Sequence, residues 1–258
     1  MQNTVFTLLG LLMVFAIAAG FIYWRRAHKK AAKATCIDVD LLRQMPCFSS
    51  YSPRELLGIS HFFEVLYVPS DVCVITEHER DDSLYYILEG QIDIVKCGSL
   101  YDNLLKKIGP KEYFGEMAFL TGSKRIASAK TDGKVCLIRI QKKDFDDVAA
   151  KSEAFKKDIW DACDRHTINL CLSDFENLRG LSVAQKDLWV ASREIYESGP
   201  GDLPDRKQAA YLAVVKGSIV YQNKTYEAPF MMKKAASEVG VAKTTVRLCF
   251  LKDPLAVD

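Results

Sequence analysis

Two stretches of the chain carry the same pattern, and this repetition limits the fold more than any other feature. In "YYILEGQIDI" and again in "LAVVKGSIVY" a glycine, Gly90 or Gly217, divides a run of β-branched and aromatic residues. Upstream, "SYSPRELL" is echoed by "GLSVAQKDL"; downstream, "SAKTDGKVCLIRI" is echoed by "VAKTTVRLCFL". The same order of three elements marks an internal duplication. Ser52 with Glu55 and Ser182 with Gln185 each have the spacing of a capping box, and Pro53 suits a first helical position, so a helix should begin near Pro53.

In the first copy "EVLYV", "DVCVITEHE", "SLYYILEGQIDIV", "NLLKKIG" and "KVCLIRI" are short strand-like runs separated by Gly, Asp or Ser turns, the pattern of a small antiparallel barrel. After "KKDFDDVAA", Phe155, Ile159, Cys163, Thr167, Leu170, Phe175 and Leu178 recur at helical spacing, which predicts a helical stretch over residues 152–178 linking two units. Between Gly90 and Ala129 lie 39 positions, and between the matching Gly217 and Ala242 lie 25, so the second copy is shorter by 14. The missing residues fall where the first copy carries Gly115, Glu116 and Arg125.

From Val5 to Trp24 no residue is charged, and at about 1.5 Å per residue such a run reaches about 30 Å, the thickness of a hydrocarbon core. Tyr23 and Trp24 close it, and "RRAHKK" follows. The positive-inside rule then places Met1 outside and the rest of the chain on the cytoplasmic side, as a single-pass protein of a bacterial or organelle inner membrane. A cleaved signal peptide fits less well, because "MQNT" has no basic residue and the positive cluster lies on the wrong flank. The expected organisation is an anchor and basic segment over 1–33, a first unit over 34–165 and a second over 166–258. The fold class is mainly β with helices: one transmembrane helix and two antiparallel β-roll units, the second shortened.

Arg25, Arg26, Lys29, Lys30 and Lys33 are the only charges before residue 34, which leaves thirty basic residues against 33 acidic ones beyond it. A nucleic-acid-binding face is not indicated. The eight cysteines show no paired spacing, and His61, His78 and His166 have no neighbour at ligand spacing, so no metal or cofactor is expected. No set of nucleophile, base and orienting group emerges, so the chain reads as a binding protein and not an enzyme.

The segment "YFGEMAFLTGSKRIAS" carries the chemistry. Gly115 permits close backbone approach, "EMAFL" can open a short helix whose N–H groups face an anion, and Arg125 offers the parallel donors that suit a phosphodiester. Glu116 can accept a ribose 2′-hydroxyl while partly balancing Arg125. With the hairpin "DSLYYILEGQIDI" upstream, residues 40–165 resemble the cyclic nucleotide-binding domain family, that of catabolite activator protein and the regulatory subunits of cyclic-AMP-dependent protein kinase. The resemblance makes 113–128 a phosphate-binding cassette and implies a ligand site of Gly115, Glu116, Met117, Ala118, Arg125, Ile126, Ala127 and Ser128. Cyclic AMP or cyclic GMP is the implied ligand. Ile126 departs from the small or hydroxylated residue the family has after the arginine. The family's lid over the purine would nominate Trp160.

These observations point to a membrane-anchored cyclic nucleotide-binding regulatory or adaptor protein, with lipid along residues 5–24 and a protein at the membrane as partners. A ligand-free accessory subunit of a membrane assembly is the alternative. A membrane-tethered transcription regulator would rest on Ala236, Gly240 and Val246, which fall at helix-turn-helix spacing, although the duplication already makes that segment a final strand.

Overall fold

The structure is a computed structural model that describes residues 32–33, 37–98, 102–206, 208–234 and 240–254. The expected membrane span, residues 5–24, lies outside the described residues. Among the described residues no helix is long and apolar enough to cross a membrane. The described chain divides into two units, one running to Phe155 apart from Leu120–Gly122, the other from Lys156. Mainly antiparallel sheet with helices, as expected, describes both.

The first unit is a seven-stranded sheet of β1 (Ala32–Lys33), β2 (Phe63–Val68), β3 (Cys73–Ile75), β4 (Ser83–Lys96), β5 (Asn103–Ile108), β6 (Tyr113–Phe114) and β7 (Ser128–Gln141). Its path runs β1-β2-β7-β4-β5, with β3 on β7 and β6 on β4. Two 14-residue strands, β4 and β7, hold this sheet together, and Gly90 lets β4 turn partway along. Gly90 has φ +89°, and a Cβ there would meet the Lys134 carbonyl at 2.5 Å. Only glycine tolerates both conditions, and the β4–β7 register shifts just before it, between Ile87 and Glu89, and across it, between Glu89 and Gln91. Leu66, Ile75, Ile87, Ile92 and Leu137 fill the interior.

Helices α1 (Val39–Arg43) and α2 (Pro53–Ser60) lie between β1 and β2 along the chain. The Ser52–Glu55 capping box forms: the Ser52 amide donates to Glu55 Oε2 at 2.8 Å and the Glu55 amide to Ser52 Oγ at 3.4 Å. Phe48 stacks on Phe155 at 5.3 Å between centroids and meets Phe63 edge-on at 5.8 Å, which seals one end of the barrel. Between β6 and β7 comes α3 (Glu116–Thr121), and after β7 come α4 (Lys142–Lys151) and α5 (Glu153–Cys171). The predicted helix over 152–178 ends at Cys171; Leu172–Asp174 and Glu176–Leu178 are separate 3₁₀ turns.

The second unit repeats the pairing pattern with shorter pieces. After α6 (Val183–Ala191), whose Ser182–Gln185 capping box also forms, come β8 (Glu194–Ser198), β9 (Gly201–Asp202), β10 (Tyr211–Lys216), β11 (Ser218–Tyr221), β12 (Lys224–Glu227), β13 (Phe230–Lys233), β14 (Val241–Ala242) and β15 (Val246–Leu251). They pair as β13-β10-β15-β8 and β12-β11-β14-β9. Gly217, at φ +84°, separates β10 from β11, and a Cβ there would meet the Thr245 carbonyl at 2.3 Å. The valine beside each glycine is Val135 in the first unit and Val246 in the second. From glycine to valine the first unit takes 45 positions and the second 29, so the letter match of Ala129 with Ala242 was out of step by two and the shortening is 16. Val246 lies in a strand, which removes the helix-turn-helix alternative: the residue that would sit in a recognition helix pairs with Ser198 across β8 and β15.

A buried ion network ties α5 to this second sheet. Asp164, with no exposure, accepts from Arg247 Nε and Nη2 at 2.8 Å each and from Arg193 Nε at 3.2 Å, while Arg193 Nη2 reaches Asp161 at 2.7 Å. Arg247 lies 4.6 Å above the Trp160 ring and also holds Glu197. Trp160, nominated as a purine lid, is thus engaged by a cation of the second unit. Among the described residues the seven cysteines are free thiols, and burial pushes Cys249 up to about 12. The Asp164→Ala variant leaves two buried guanidinium groups short of their anion, and chemical denaturation should show a loss of about 3 to 5 kcal/mol.

Candidate functional site

The cassette begins where β6 ends. Tyr85 pairs with Phe114, and the next residue, Gly115, has φ +81°. A Cβ at Gly115 would lie 2.7 Å from Arg125 Nη1 and 2.9 Å from Ile75 Cδ1, so this glycine is demanded by conformation and by space together. Its carbonyl accepts from the Phe119 amide at 3.2 Å, which closes the first turn of α3, and from Arg125 Nη1 at 2.5 Å.

Arg125 is 2% exposed. Its Nη2 donates to the Ser83 carbonyl at 2.5 Å and to Asp81 Oδ2 at 3.2 Å. Its main chain is held as well: the His78 amide donates to the Arg125 carbonyl at 2.9 Å, and the Arg125 amide to the Glu79 carbonyl at 3.0 Å. The strap 76–82, between β3 and β4, therefore grips the arginine by backbone and side chain. These bonds use three of the five guanidinium N–H groups. Nε is buried and has no hydrogen-bond partner among the described residues.

The sequence suggested a guanidinium whose fork is open to both phosphate oxygens. In the structure the terminal nitrogens hold protein carbonyls and Asp81 instead, because a cation this deeply buried must be satisfied by whatever surrounds it. Glu116 opens α3 at 3% exposure, and Ala118 and Ser128 are also buried. Met117, Ile126 and Ala127 are half-buried.

Ser128 Oγ accepts from the Glu77 amide at 2.9 Å and lies 3.3 Å from Cys97 Sγ. Glu77 in turn accepts from Lys96 Nζ at 2.7 Å and from the Cys97 amide at 2.9 Å. Burial works against the Glu77 charge, yet Lys96 and the Cys97 amide hold its carboxyl below the ordinary range. Asp81, Ser83 and Glu77 were not foreseen. "EHERDD" reads as a polar turn, and nothing local to it says that its carboxylates face a cation 44 residues away.

Among the described residues no group of three or more His, Cys, Asp or Glu side chains is placed to hold a metal. A cavity of about 320 Å³ lies in the second unit, lined by Glu194, Asp205, Arg206 and Lys252 among others. Its mixed charges are not those of a phosphate site, and the cassette remains the candidate.

Residues 65–152 match the cyclic nucleotide-binding domain family. The match spans β2 to α4 and includes every cassette residue. A cyclic nucleotide-gated potassium channel of Mesorhizobium japonicum is 25% identical over 121 residues, 45% of this chain and 32% of its own. The cAMP-dependent protein kinase regulatory subunit of Blastocladiella emersonii is 29% identical over 106 residues, 40% of this chain and 26% of its own. The chain thus spans about a quarter to a third of these relatives. Among solved structures, the regulatory domain of Toxoplasma gondii PKA with cAMP aligns over 83% of this chain and 87% of its own, with 17% identity and a TM-score of 0.40. A cyclic nucleotide-binding domain from Methylobacillus flagellatus aligns over 53% and 82%, with 19% identity and a TM-score of 0.43. The matched family is one of ligand-binding domains and not of catalysts.

The lowered Glu77 carboxyl fixes the sign of a pH effect. A carboxylate depressed by folding contributes stability that is complete above its unfolded value and is lost as the pH falls through its folded one. Melting temperatures followed from neutral pH downward should fall for the parent chain, whereas Glu77→Gln should start lower and show a flatter acid limb, the two curves converging.

Proposed function

We propose that the first unit binds a cyclic mononucleotide, cyclic AMP in particular, and that this binding regulates a protein partner. The observation that carries the reading is the unpartnered Nε of Arg125. A buried donor without an acceptor costs about 1 to 3 kcal/mol, and this one sits on the arginine of the matched cassette. An exocyclic phosphate oxygen supplies the missing acceptor while the guanidinium stays in the grip of Ser83, Gly115 and Asp81.

In this reading Glu116 accepts the ribose 2′-hydroxyl, and Gly115, Met117, Ala118, Ile126, Ala127 and Ser128 line the ligand. Ile126 offers no hydroxyl to a guanine, which favours adenine. The second unit, a shortened cyclic-nucleotide-binding-like roll, serves as an interaction surface. Residues 5–24 anchor the chain in an inner membrane with Met1 outside, a proposal resting on their apolar length and on the basic cluster that follows.

One observation favours a second reading, in which the first unit is a ligand-free scaffold within a membrane assembly. Arg125 already has carbonyls and a carboxylate on its terminal nitrogens, and it is almost wholly buried. Titration calorimetry of the full chain in detergent decides between them. Cyclic AMP should bind, and Arg125→Lys, which replaces a fork with a point charge, should weaken it at least about tenfold. No heat with either cyclic AMP or cyclic GMP from a folded chain selects the scaffold.

A further inference from the structure

The glycine anchors align the two units residue by residue. Tyr85 and Leu212 each lie five residues before their glycine, and their partners across the sheet are Phe114 and Met232. The residues that follow are Gly115 and Glu116 in the first unit, Lys233 and Lys234 in the second. Lys234 therefore holds the position of Glu116. By the same offset Ala210 holds the position of Ser83.

The hydrogen bonds agree with this alignment. In the first unit the Ser83 carbonyl takes the Arg125 guanidinium. In the second the Ala210 carbonyl takes the Lys234 amide at 2.7 Å. Each strap sends one aspartate to one buried cation: Asp81 to Arg125 Nη2 at 3.2 Å, and Asp205, between β9 and β10, to Lys234 Nζ at 3.6 Å. The Lys234 side chain is 3% exposed.

We infer that Lys234, paired with Asp205, is the second unit's internal replacement for the cassette, and that it closes this unit to cyclic nucleotides. The pair keeps the strap-to-cation contact of the first unit with the charge pattern changed. A lysine stands where the ribose hydroxyl needs a carboxylate, and an ammonium gives one point charge where a phosphodiester is met by a planar fork. The chain accordingly takes one cyclic nucleotide, in the first unit. The stoichiometry rests on the reading proposed above; the closure of the second unit does not.

Two measurements on the full chain test this. Calorimetry with cyclic AMP should give one site per chain, and Arg125→Ala should abolish all of the binding heat. A stoichiometry of two, or binding that survives Arg125→Ala, overturns the inference while leaving the chain a nucleotide binder. Independently, Lys234→Met, Asp205→Asn and the double variant are compared by thermal unfolding. The double variant should lose less than the two single losses combined, because Asp205→Asn takes the carboxylate from the buried Lys234 ammonium, a cost that is absent once Lys234 is also replaced. Additive losses overturn the pairing. A flat titration removes the proposed function of the first unit, and the mutant cycle then decides the Lys234–Asp205 pairing alone.

Discussion

A guanidinium buried to 2% exposure has to be surrounded by acceptors, and much of the first unit's local structure follows from meeting that demand at Arg125. Gly115 must lack a side chain so that Nη1 can reach its carbonyl. Ser83 must present its carbonyl at the start of β4, and Asp81 its carboxylate from the strap. The strap's amides then bind the Arg125 main chain, and the Glu77 amide binds Ser128 two residues before Lys130 pairs with β3. The cassette is consequently ordered by the protein's own atoms before any ligand arrives. In the reading proposed above, a ligand adds an acceptor to a preset donor, which keeps the ordering cost of association low.

The duplication shows which parts of this arrangement the roll itself requires and which are particular to the first unit. The pairings, the capping boxes and the glycine at positive φ recur in both units, as do the strap and its aspartate. The Gly-Glu pair and the arginine do not. Between β6 and β7 the first unit has 13 residues, 115–127; between β13 and β14 the second has seven, 234–240. The shorter connection carries no arginine in its sequence, and the second unit meets its strap aspartate with Lys234. Its stability draws on a different charge cluster, Asp164 between Arg193 and Arg247, which the first unit does not repeat at the equivalent of Arg247, Cys136.

Local patterns were legible and distant partnerships were not. Ser52–Glu55 and Ser182–Gln185 could be read because a capping box closes within three residues. The cassette could be read because glycine, carboxylate and arginine lie within eleven positions of one another. Asp81, Ser83 and Glu77 could not, since their role depends on a strap folding back over β7. The slip of two between Ala129 and Ala242 has the same origin. "AKT" recurs in both copies as letters, whereas the structural equivalence is set by which valine packs against the dividing glycine.

Taken alone, the sequence determined that the chain is duplicated and strand-rich, with a compact Gly-Glu-Arg motif in one copy only, because periodicity, turn residues and a compact motif are properties of neighbours along the chain. Tertiary structure decided that the Arg125 fork is turned toward protein carbonyls with Nε left over, that Trp160 serves the second unit, and that Lys234 stands in the place of Glu116. Those outcomes depend on strand register and burial, which bring together groups that no local pattern relates.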